Sequence, residues 1–280
     1  MLRFQNDYSE GAHPNVLRAL CDTNLSATPG YGLAAAAFLR PWEAMVAADT
    51  GHVNVHETGA IEATGHKVIA VPGADGKLTP AAIADAAAQH CAEPGIYDEH
   101  MVLPRMAYIS DTTELGTVYT KAELTALRAA CDAFYIGGTK NGLLFGEAMV
   151  IVNDALKPGF RRAMKRSGAM LAKGRLLGVQ FAAALEQDLW LDMGRHANAQ
   201  AQRIAAALSN LGVPMYVPSP TNQIFPILPD DQIARLQERV AFHTNTRVDE
   251  THQAVRFVTS WATTDAQVDA LLAVLNEVLG

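Results

Sequence analysis

The chain has 280 residues, of which 49% are hydrophobic and 18% charged, and its formal net charge is −7 at pH 7. A chain of this length and composition folds as one large globular domain or two smaller ones and has no signature of disorder. Its acidic balance argues against a nucleic-acid partner.

The cysteines and the apolar runs indicate the cellular compartment of the protein. Cys21, Cys91 and Cys131 are far apart and form no Cys-x-x-Cys pair. This usage is typical of a reducing cytoplasm and predicts neither a disulfide framework nor a metal site. The longest apolar run, residues 33–39, is too short to cross a bilayer, and residues 1–7 become polar too soon for a signal peptide. We therefore expect a cytoplasmic protein with no metal and no membrane partner.

The first half of the chain alternates between predicted strands and helices. Residues 16–20 have a helical pattern, and a second helix at residues 33–41 ends at Pro41. The predicted strands that follow are residues 45–48, 67–71, 106–109, 133–136 and 148–152. Such alternation predicts the α/β class, with a mainly parallel sheet that is covered by helices and binds ligands at the carboxyl ends of its strands.

Two of the intervening helices have start signals in the sequence. Thr79 is an N-cap residue and is followed by Pro80, which suits the first helical position because it lacks an N–H group. Thr120 and Glu123 have the spacing of a capping box, in which each side chain accepts from the other residue's backbone N–H. We expect helices to begin after Thr79 and after Thr120.

The pattern changes after residue 152. A long helical stretch at residues 171–211 stops at Gly212. The predicted strands of a smaller sheet are residues 215–217, 223–228 and 254–258. Thr264 then caps a final amphipathic helix. We expect two domains, a large α/β domain at residues 1–170 and a smaller α+β domain at residues 171–280.

One lysine stands out from this pattern. The predicted strand at residues 133–136 ends at Gly137-Gly138, and Thr139-Lys140 then lead into an Asn-Gly turn. Glycines permit backbone approaches that a side chain forbids, so Lys140 is expected in a tight bend between two core strands. Partial desolvation there would lower the pKa of the amine and make it a nucleophile toward a carbonyl group. The alternative is a solvated lysine in an ordinary hairpin.

Several short stretches, in this order and spacing, resemble the pyridoxal-phosphate-dependent threonine aldolase and β-eliminating lyase family. The stretches are Asn6-Asp7-Tyr8 with His13-Pro14, Tyr31-Gly32, residues 49–60, residues 111–119, Gly137-Gly138-Thr139-Lys140, Ala172-Lys173-Gly174-Arg175, Thr221-Asn222-Gln223 and residues 256–261. The resemblance implies the PLP-transferase fold type I of aspartate aminotransferase. It also implies pyridoxal 5'-phosphate as cofactor and a homodimer or homotetramer with active sites at subunit interfaces.

The resemblance assigns roles around the cofactor. Lys140 matches the lysine that holds pyridoxal phosphate, with Thr139 beside it. His52 matches the histidine that stacks on the cofactor ring, and His56 is the competing candidate. Outside such a motif, either histidine would be an ordinary loop residue bonded to backbone carbonyls. Thr112 matches a strand end that lines the cofactor.

The remaining assignments concern anionic groups. Arg256 matches the arginine that binds the substrate carboxylate, which suits the planar, bidentate guanidinium. Its alternative is a surface arginine on an edge strand. Asn6 replaces a small polar residue that assists the same carboxylate in relatives. Lys173 and Arg175 match a basic stretch that reaches the phosphate of a neighbouring subunit, and the alternative is a solvated basic face.

Two segments of the family are missing from the sequence. A Gly-Thr segment that cups the phosphate would fall near residues 33–36, and a strand ending in Asp-Gly-Ala-Arg would fall near residues 130–132. The aspartate of that strand pairs with the pyridine nitrogen, and without it the cofactor loses its electron sink.

Two explanations compete for these gaps. Either mobile residues are left out of the sequence, or the protein has lost both segments and the cofactor with them. We expect the first, because deletion of a central strand would expose the core although both flanks remain family-like. Neighbouring Cα atoms lie about 3.8 Å apart across a trans peptide bond, so wider gaps are expected at both junctions. A crystal in which these loops are mobile is expected to lack pyridoxal phosphate.

The expected activity is a retro-aldol cleavage of a threonine-like β-hydroxy-α-amino acid to glycine and an aldehyde. Lys140 would hold the cofactor, Arg256 the carboxylate, and His52 or a water molecule would accept the hydroxyl proton. Two alternatives remain open from the sequence. One is β-elimination to pyruvate and ammonia, and the other is a degenerate family member without catalysis.

Overall fold

The computed structural model describes residues 2–5, 12–22, 39–59, 61–129, 133–166, 168–171 and 173–280. Most of the predicted helix at residues 33–41 lies outside these ranges, as do Asn6 and the two junctions at residues 33–36 and 130–132. Among the described residues, no helix has the length and apolar character needed to cross a membrane.

The described elements, in chain order, are thirteen strands and nine helices, apart from short 3-10 turns. The strands are β1 Leu2–Arg3, β2 Glu43–Ala48, β3 Val68–Val71, β4 Cys91–Glu93, β5 Ile96–Tyr97, β6 Leu103–Tyr108, β7 Ala133–Gly137, β8 Glu147–Ile151, β9 Gln223–Ile224, β10 Ile227–Pro229, β11 Val240–Ala241, β12 His243–Arg247 and β13 His252–Val258. The helices are α1 Pro14–Asp22, α2 His52–Val55, α3 Pro80–Ala88, α4 Lys121–Ala129, α5 Phe160–Arg166, α6 Arg175–Leu185, α7 Leu189–Asn210, α8 Asp230–Gln237 and α9 Asp265–Leu279.

Contacts divide the chain into two compact units. The parallel-sheet unit comprises Tyr31–Tyr135 and Met149–Ala172, and the C-terminal unit comprises Met1–Gly30, Ile136–Ala148 and Lys173–Gly280. The boundary near residue 172 lies close to the expected one. The expected domains of residues 1–170 and 171–280 nevertheless differ from these units, because residues 1–30 and 136–148 group with the C-terminal segment.

Three of the five strands predicted for the parallel sheet form it. The sheet has the order β3-β2-β6, and β2 pairs in parallel with both neighbours. The other two predicted strands, β7 and β8, form a separate two-stranded sheet. All six residues of β2 are buried, as expected for the central strand of a sheet covered on both faces. Val46 of β2 forms a core with Leu78 and with Ala86 of α3. This arrangement agrees with the predicted α/β class.

Both predicted helix starts are confirmed. The Thr79 hydroxyl accepts a hydrogen bond from Ala82 N at 3.1 Å, and Pro80 is the first residue of α3. The Thr120 hydroxyl accepts from Glu123 N at 3.2 Å, while the Glu123 carboxylate accepts from Thr120 N at 2.6 Å. Both pairs satisfy N–H groups that a helix start leaves unpaired.

The C-terminal unit is built around β13. This strand pairs antiparallel with β10, β12 and β9. The phenylalanine side chain of β13, Phe257, is fully buried in a core with Ile204 of α7 and Leu271 of α9. The start of the chain belongs to this unit, since Leu2 and Arg3 pair in parallel with Val240 and Ala241.

Two sequence predictions in this unit were wrong. The single helix at residues 171–211 is interrupted, because Gln187 and Asp188 adopt left-handed φ values of 52° and 61° between α6 and α7. The predicted strand at residues 215–217 is reduced to one isolated bridge from Met215 to Pro226. Pro214 and Pro218 flank that segment, and proline cannot donate to a strand ladder.

Replacement of Leu271 by alanine tests this core. Leu271 is fully buried, so Leu271→Ala is expected to reduce the free energy of unfolding by about 2–5 kcal/mol. Leu272 packs on the same cluster but is only partly buried, so Leu272→Ala is expected to cost less. Urea unfolding of both variants measures the two values, and equal losses would contradict the described packing.

Candidate functional site

Lys140 lies in a tight turn between β7 and β8. Gly138 N donates to Gly146 O at 3.0 Å, and Asn141 N donates to Gly138 O at 2.9 Å. Gly138 is buried, and a Cβ atom there would lie 2.8 Å from Gly146 O and 2.6 Å from a methyl group of Leu143. Such contacts are too short for any side chain, so the turn that carries Lys140 requires glycine at residue 138.

The turn is held from several sides within the C-terminal unit. Leu143 is 2% exposed and packs in a cluster with Phe181 of α6 and Met193 of α7. Leu144 N donates to the side-chain oxygen of Gln180 at 2.7 Å. His13 N donates to the carbonyl of Gly142, next to the lysine turn, at 2.8 Å. The base of the turn is therefore fixed by core packing and backbone hydrogen bonds.

Lys140 itself points away from that core. Gly138 and Leu143 are buried, whereas Thr139 and Lys140 are exposed. Gly138 and Leu143 fill the space beneath the turn, and Lys140 lies on its outer side. Partial desolvation of the lysine amine stays a prediction.

Glu147, the first residue of β8, faces the base of the lysine turn. Its carboxylate lies 3.0 Å from the position of a Cβ atom on Gly137, and its Oε2 is buried without a hydrogen-bond partner among the described residues. Burial raises the pKa of Glu147 above its usual range, and the positive charge of Lys140 acts in the opposite direction. The sequence analysis missed this carboxylate, although it immediately follows the Lys140 turn.

Arg256 lies on β13. One of its terminal nitrogens is 3.5 Å from the side-chain oxygen of Gln223, while its Nε atom is buried without a hydrogen-bond partner among the described residues. None of the ion pairs found in the described ranges includes Arg256. A partly buried guanidinium with an unpaired N–H is suited to bind an anion such as a carboxylate.

His13 and Trp261 form an aromatic pair in the same unit. Their ring centroids are 5.0 Å apart, and burial lowers the pKa of His13. Trp261 also packs on the cluster that contains Leu143. His13 was part of the family-like stretches, but the sequence analysis gave neither residue a role in the site.

His52 lies in the parallel-sheet unit, just after the carboxyl end of β2. Its Nδ1 is 2.9 Å from Glu114 Oε1, and its Nε2 is 3.0 Å from Glu57 Oε1. Its competitor His56 lies farther from Glu114, with its Nε2 at 3.8 Å from the other carboxylate oxygen. Both ring nitrogens of His52 thus face carboxylates and not the backbone carbonyls of an ordinary loop histidine.

The remaining predicted residues have varied surroundings. Thr112 follows β6 at the same edge of the sheet, next to Asp111, whose pKa burial raises. Lys173 is exposed, whereas Arg175, the first residue of α6, is 7% exposed. The alternative of a solvated basic face therefore fails for Arg175. Asn6 lies outside the described residues.

The two units hold different parts of the predicted site. Within the C-terminal unit are Lys140, Thr139, Arg256, Lys173 and Arg175. Within the parallel-sheet unit are His52 and Thr112, together with the carboxylates that contact His52.

The described residues fit pyridoxal 5'-phosphate in several respects. An exposed amine on a fixed turn can condense with an aldehyde, and the unpaired Nε of Arg256 can take an anionic oxygen. Lys173 is an exposed cation, and Arg175 is mostly buried, so of the two predicted phosphate residues Lys173 is the more accessible. No carboxylate among the described residues is assigned to the pyridine nitrogen.

Comparisons with solved structures define the class of protein. The chain matches a structure of Leishmania major threonine aldolase with a TM-score of 0.90 and 35% identity, and the match covers 100% of both chains. It also matches N-succinyldiaminopimelate aminotransferase from Mycobacterium tuberculosis with a TM-score of 0.65 and 14% identity, over 99% of this chain and 93% of that one. At that identity only the fold is shared. The predicted PLP-transferase fold type I is confirmed.

Sequence relatives identify the family within that class. The β-eliminating lyase family matches residues 25–133. The low specificity L-threonine aldolase of Pseudomonas aeruginosa is 29% identical over 290 residues, which cover 90% of this chain and 81% of the relative. That of Pseudomonas sp. is 27% identical with the same coverage. The chain belongs to the threonine aldolase and β-eliminating lyase family.

Glu147→Gln tests the cost of the buried carboxylate. Because burial raises its pKa, the folded protein holds this proton more tightly than the unfolded chain does. The resulting loss of stability is absent below the unfolded pKa of about 4.3 and present at higher pH. Glu147→Gln is therefore expected to raise the free energy of unfolding at pH 7, and the gain should shrink as the pH falls toward 4.

Denaturant titrations at pH 4.5 and pH 7 measure this difference. Glu238→Gln, which removes an exposed carboxylate from the same unit, is the matched control. A Glu147→Gln variant that is less stable than the parent at pH 7 would show that the carboxylate is well paired.

Proposed function

We propose that this chain is a pyridoxal-phosphate-dependent lyase that cleaves a threonine-like β-hydroxy-α-amino acid to glycine and an aldehyde. The observation that carries the proposal is the exposed lysine on a buried glycine turn, in a chain that matches a threonine aldolase over its whole length. The named sequence relatives are also threonine aldolases.

Lys140 is the attachment point in this proposal. Its side chain extends from a turn whose base is fixed by Gly138 and Leu143, so the backbone of Lys140 has a defined position. Bound pyridoxal phosphate supplies an electron-accepting ring for the pair released at Cα. Thr139 is the neighbour of Lys140 in sequence and is proposed to contact the cofactor. Lys173 and Arg175 are proposed to reach the phosphate of a neighbouring subunit, and Thr112 is proposed as a cofactor-lining residue.

Arg256 binds the substrate carboxylate. Its buried, unpaired Nε and its long contact to Gln223 leave N–H groups for a bidentate partner. A carboxylate fixed in this way orients the Cα–Cβ bond of the substrate, and orientation decides which bond at Cα breaks. Asn6 assists at the same carboxylate.

His52 has two roles in this proposal. Its ring stacks on the cofactor, and one of its nitrogens, or a water molecule that it orients, accepts the hydroxyl proton of the substrate. Loss of that proton allows the β-carbon to leave as an aldehyde. The carboxylates of Glu57 and Glu114 fix the ring, as their distances of 3.0 Å and 2.9 Å indicate.

The second candidate function is β-elimination, which the family name also includes. That reaction starts with removal of the Cα proton, with Lys140 as the base, and gives pyruvate and ammonia. The full-length match to a threonine aldolase favours cleavage of the Cα–Cβ bond. A third possibility is a family member without catalysis, which would capture no cofactor.

We also propose a homodimer or homotetramer in the cytoplasm, with active sites at the subunit interface. Leu17 of α1, Leu185 of α6 and Leu191 of α7 are at least half exposed in the described chain, which supports burial against another subunit. The described cysteines, Cys21 and Cys91, are free, and that is the usage of a reducing compartment.

Cofactor capture tests the role of Lys140. Addition of pyridoxal phosphate should give a yellow protein, and borohydride reduction followed by peptide mapping should place the label on Lys140. Lys140→Ala is expected to lose both the label and the release of glycine and acetaldehyde from threonine, with an unchanged thermal midpoint. Lys173→Ala should retain the label on Lys140. A label on another lysine would contradict the assignment, and pyruvate with ammonia as products would favour β-elimination.

Substitution of Arg256 tests the carboxylate site. A hydrogen bond to a charged group contributes about 1.5–3 kcal/mol, so Arg256→Gln is expected to raise the KM for threonine about tenfold to 100-fold. Arg256→Lys keeps the charge without the planar fork and should give a smaller increase. Cofactor capture by both variants should equal that of the parent. An unchanged KM in Arg256→Gln would remove this residue from the substrate site.

A further inference from the structure

His52 and Glu114 meet because of the order of strands in the parallel sheet. His52 follows β2 and Glu114 follows β6, and these two strands are neighbours that run in the same direction. Their carboxyl ends therefore lie at one edge of the sheet, where such folds bind ligands. Sixty-two residues separate the histidine and the carboxylate in sequence, yet their atoms are 2.9 Å apart.

The loop that carries Glu114 is firmly built. Thr113 is 2% exposed, and its hydroxyl pairs with the hydroxyl of Thr117 at 2.8 Å. Thr117 in turn donates to the carbonyl of Asp75 at 2.6 Å. Gly76 packs against Thr113 so closely that a Cβ atom on it would lie 3.3 Å from the threonine side chain. The backbone that carries Glu114 is thus held in place by residues other than His52.

The two carboxylates on His52 differ in accessibility. The side chain of Glu114 is 20% exposed, while that of Glu57 is 45% exposed. An ionised carboxylate can only accept hydrogen bonds, so a ring nitrogen of His52 bonds to one only while that nitrogen carries a hydrogen. Glu57 is the more accessible of the two partners, and Glu114 is the more enclosed.

We propose that Glu114 is a positioning residue that keeps hydrogen on Nδ1 of His52, so that Nε2 is the nitrogen that accepts the β-hydroxyl proton of the substrate. The proposal rests on the proposed function and names the base within it. The logic is that of any histidine whose tautomer is set by the group bonded to its other nitrogen. His56 is a further titratable neighbour of this pair, 3.8 Å from Glu114.

In the neutral ring with hydrogen on Nδ1, Nε2 has separated from Glu57 and takes the hydroxyl proton of the substrate. The O–H electron pair becomes the second bond of the aldehyde carbonyl. The electrons of the Cα–Cβ bond remain with Cα, where bound pyridoxal phosphate would supply an electron-accepting ring. His52 returns its extra proton to solvent after the aldehyde leaves.

Two reactions of the cofactor-loaded enzyme distinguish a positioning role of Glu114 from a general loss of structure or cofactor binding. Threonine cleavage needs removal of a hydroxyl proton, whereas exchange of the Cα proton of glycine with solvent deuterium does not. A positioned general base contributes about 10²–10⁴-fold, so Glu114→Gln is expected to reduce the kcat for threonine about 100-fold. Glycine exchange in the same variant should stay within about threefold of the parent.

Two other Glu→Gln variants serve as comparisons. The kcat of Glu57→Gln should be at least about tenfold higher than that of Glu114→Gln, because Glu57 is displaced during the reaction. Glu99→Gln removes an exposed carboxylate from the same unit and controls for the change in net charge. Equal losses of cleavage and exchange in Glu114→Gln would overturn the proposal, as would equal losses of cleavage in Glu114→Gln and Glu57→Gln.

A measurement without cofactor tests the geometry directly. Nitrogen-15 spectra of the cofactor-free protein, with the His52 signals identified by their absence in His52→Asn, should show hydrogen on Nδ1. That signal should be lost in Glu114→Gln and retained in Glu99→Gln. If Glu114→Gln does not fold, Glu114→Asp, which keeps the charge but moves it away from the ring, should show the same loss. A parent protein without hydrogen on Nδ1 would overturn the inference, whereas absence of cofactor capture would instead contradict the proposed function.

Discussion

The close approach of Gly138 to the carbonyl of Gly146 is the constraint on which the lysine turn depends. Because residue 138 has no side chain, the two ends of the turn can approach and hydrogen-bond at 3.0 Å. Leu143 can then enter the core beneath them. The turn therefore fixes its base through packing and leaves Lys140 on its outer side. Precise placement of a nucleophile requires a rigid support of this kind, and a long flexible side chain on a loose loop would not provide it.

Charges around the candidate site are left incompletely satisfied in a way that a purely structural role does not explain. Glu147 has a buried oxygen without a partner among the described residues, and Arg256 has a buried nitrogen in the same condition. Each such group costs stability, about 1–3 kcal/mol when fully desolvated. Structural ion pairs elsewhere in the chain, such as Arg203 with Asp265 at 2.8 Å, show the ordinary alternative. Buried atoms without a partner among the described residues also occur on Gln5, Thr50 and His66, so burial of an unpaired group does not by itself mark the site. The unpaired Nε of Arg256 is informative because the residue was also predicted to bind a carboxylate.

Local signals predicted the parts of this fold that depend on local chemistry. Thr79 and Thr120 cap helices as their sequence spacing requires, and Lys140 lies on the glycine turn that its flanking residues indicated. The helix break at Gln187 was missed because residues 186–188, Glu-Gln-Asp, include neither glycine nor proline, and tertiary context places Gln187 in a left-handed conformation. The grouping of residues 1–30 with the C-terminal unit was also missed, because a two-residue strand such as β1 carries almost no pattern.

The carboxylates around His52 were missed for a more general reason. Resemblance indicates which residue types recur in a motif, and it identified the histidine. One partner, Glu57, lies five residues further along the same segment, but the other, Glu114, comes from a different strand end. Only the order of the strands brings Glu114 to His52, and that order is a long-range property that spacing along the chain does not contain. The same holds for His13 and Trp261, whose rings meet across most of the sequence. A motif can therefore identify a candidate catalytic residue such as His52, but the strand order is needed to identify a partner such as Glu114 that lies far away in the sequence.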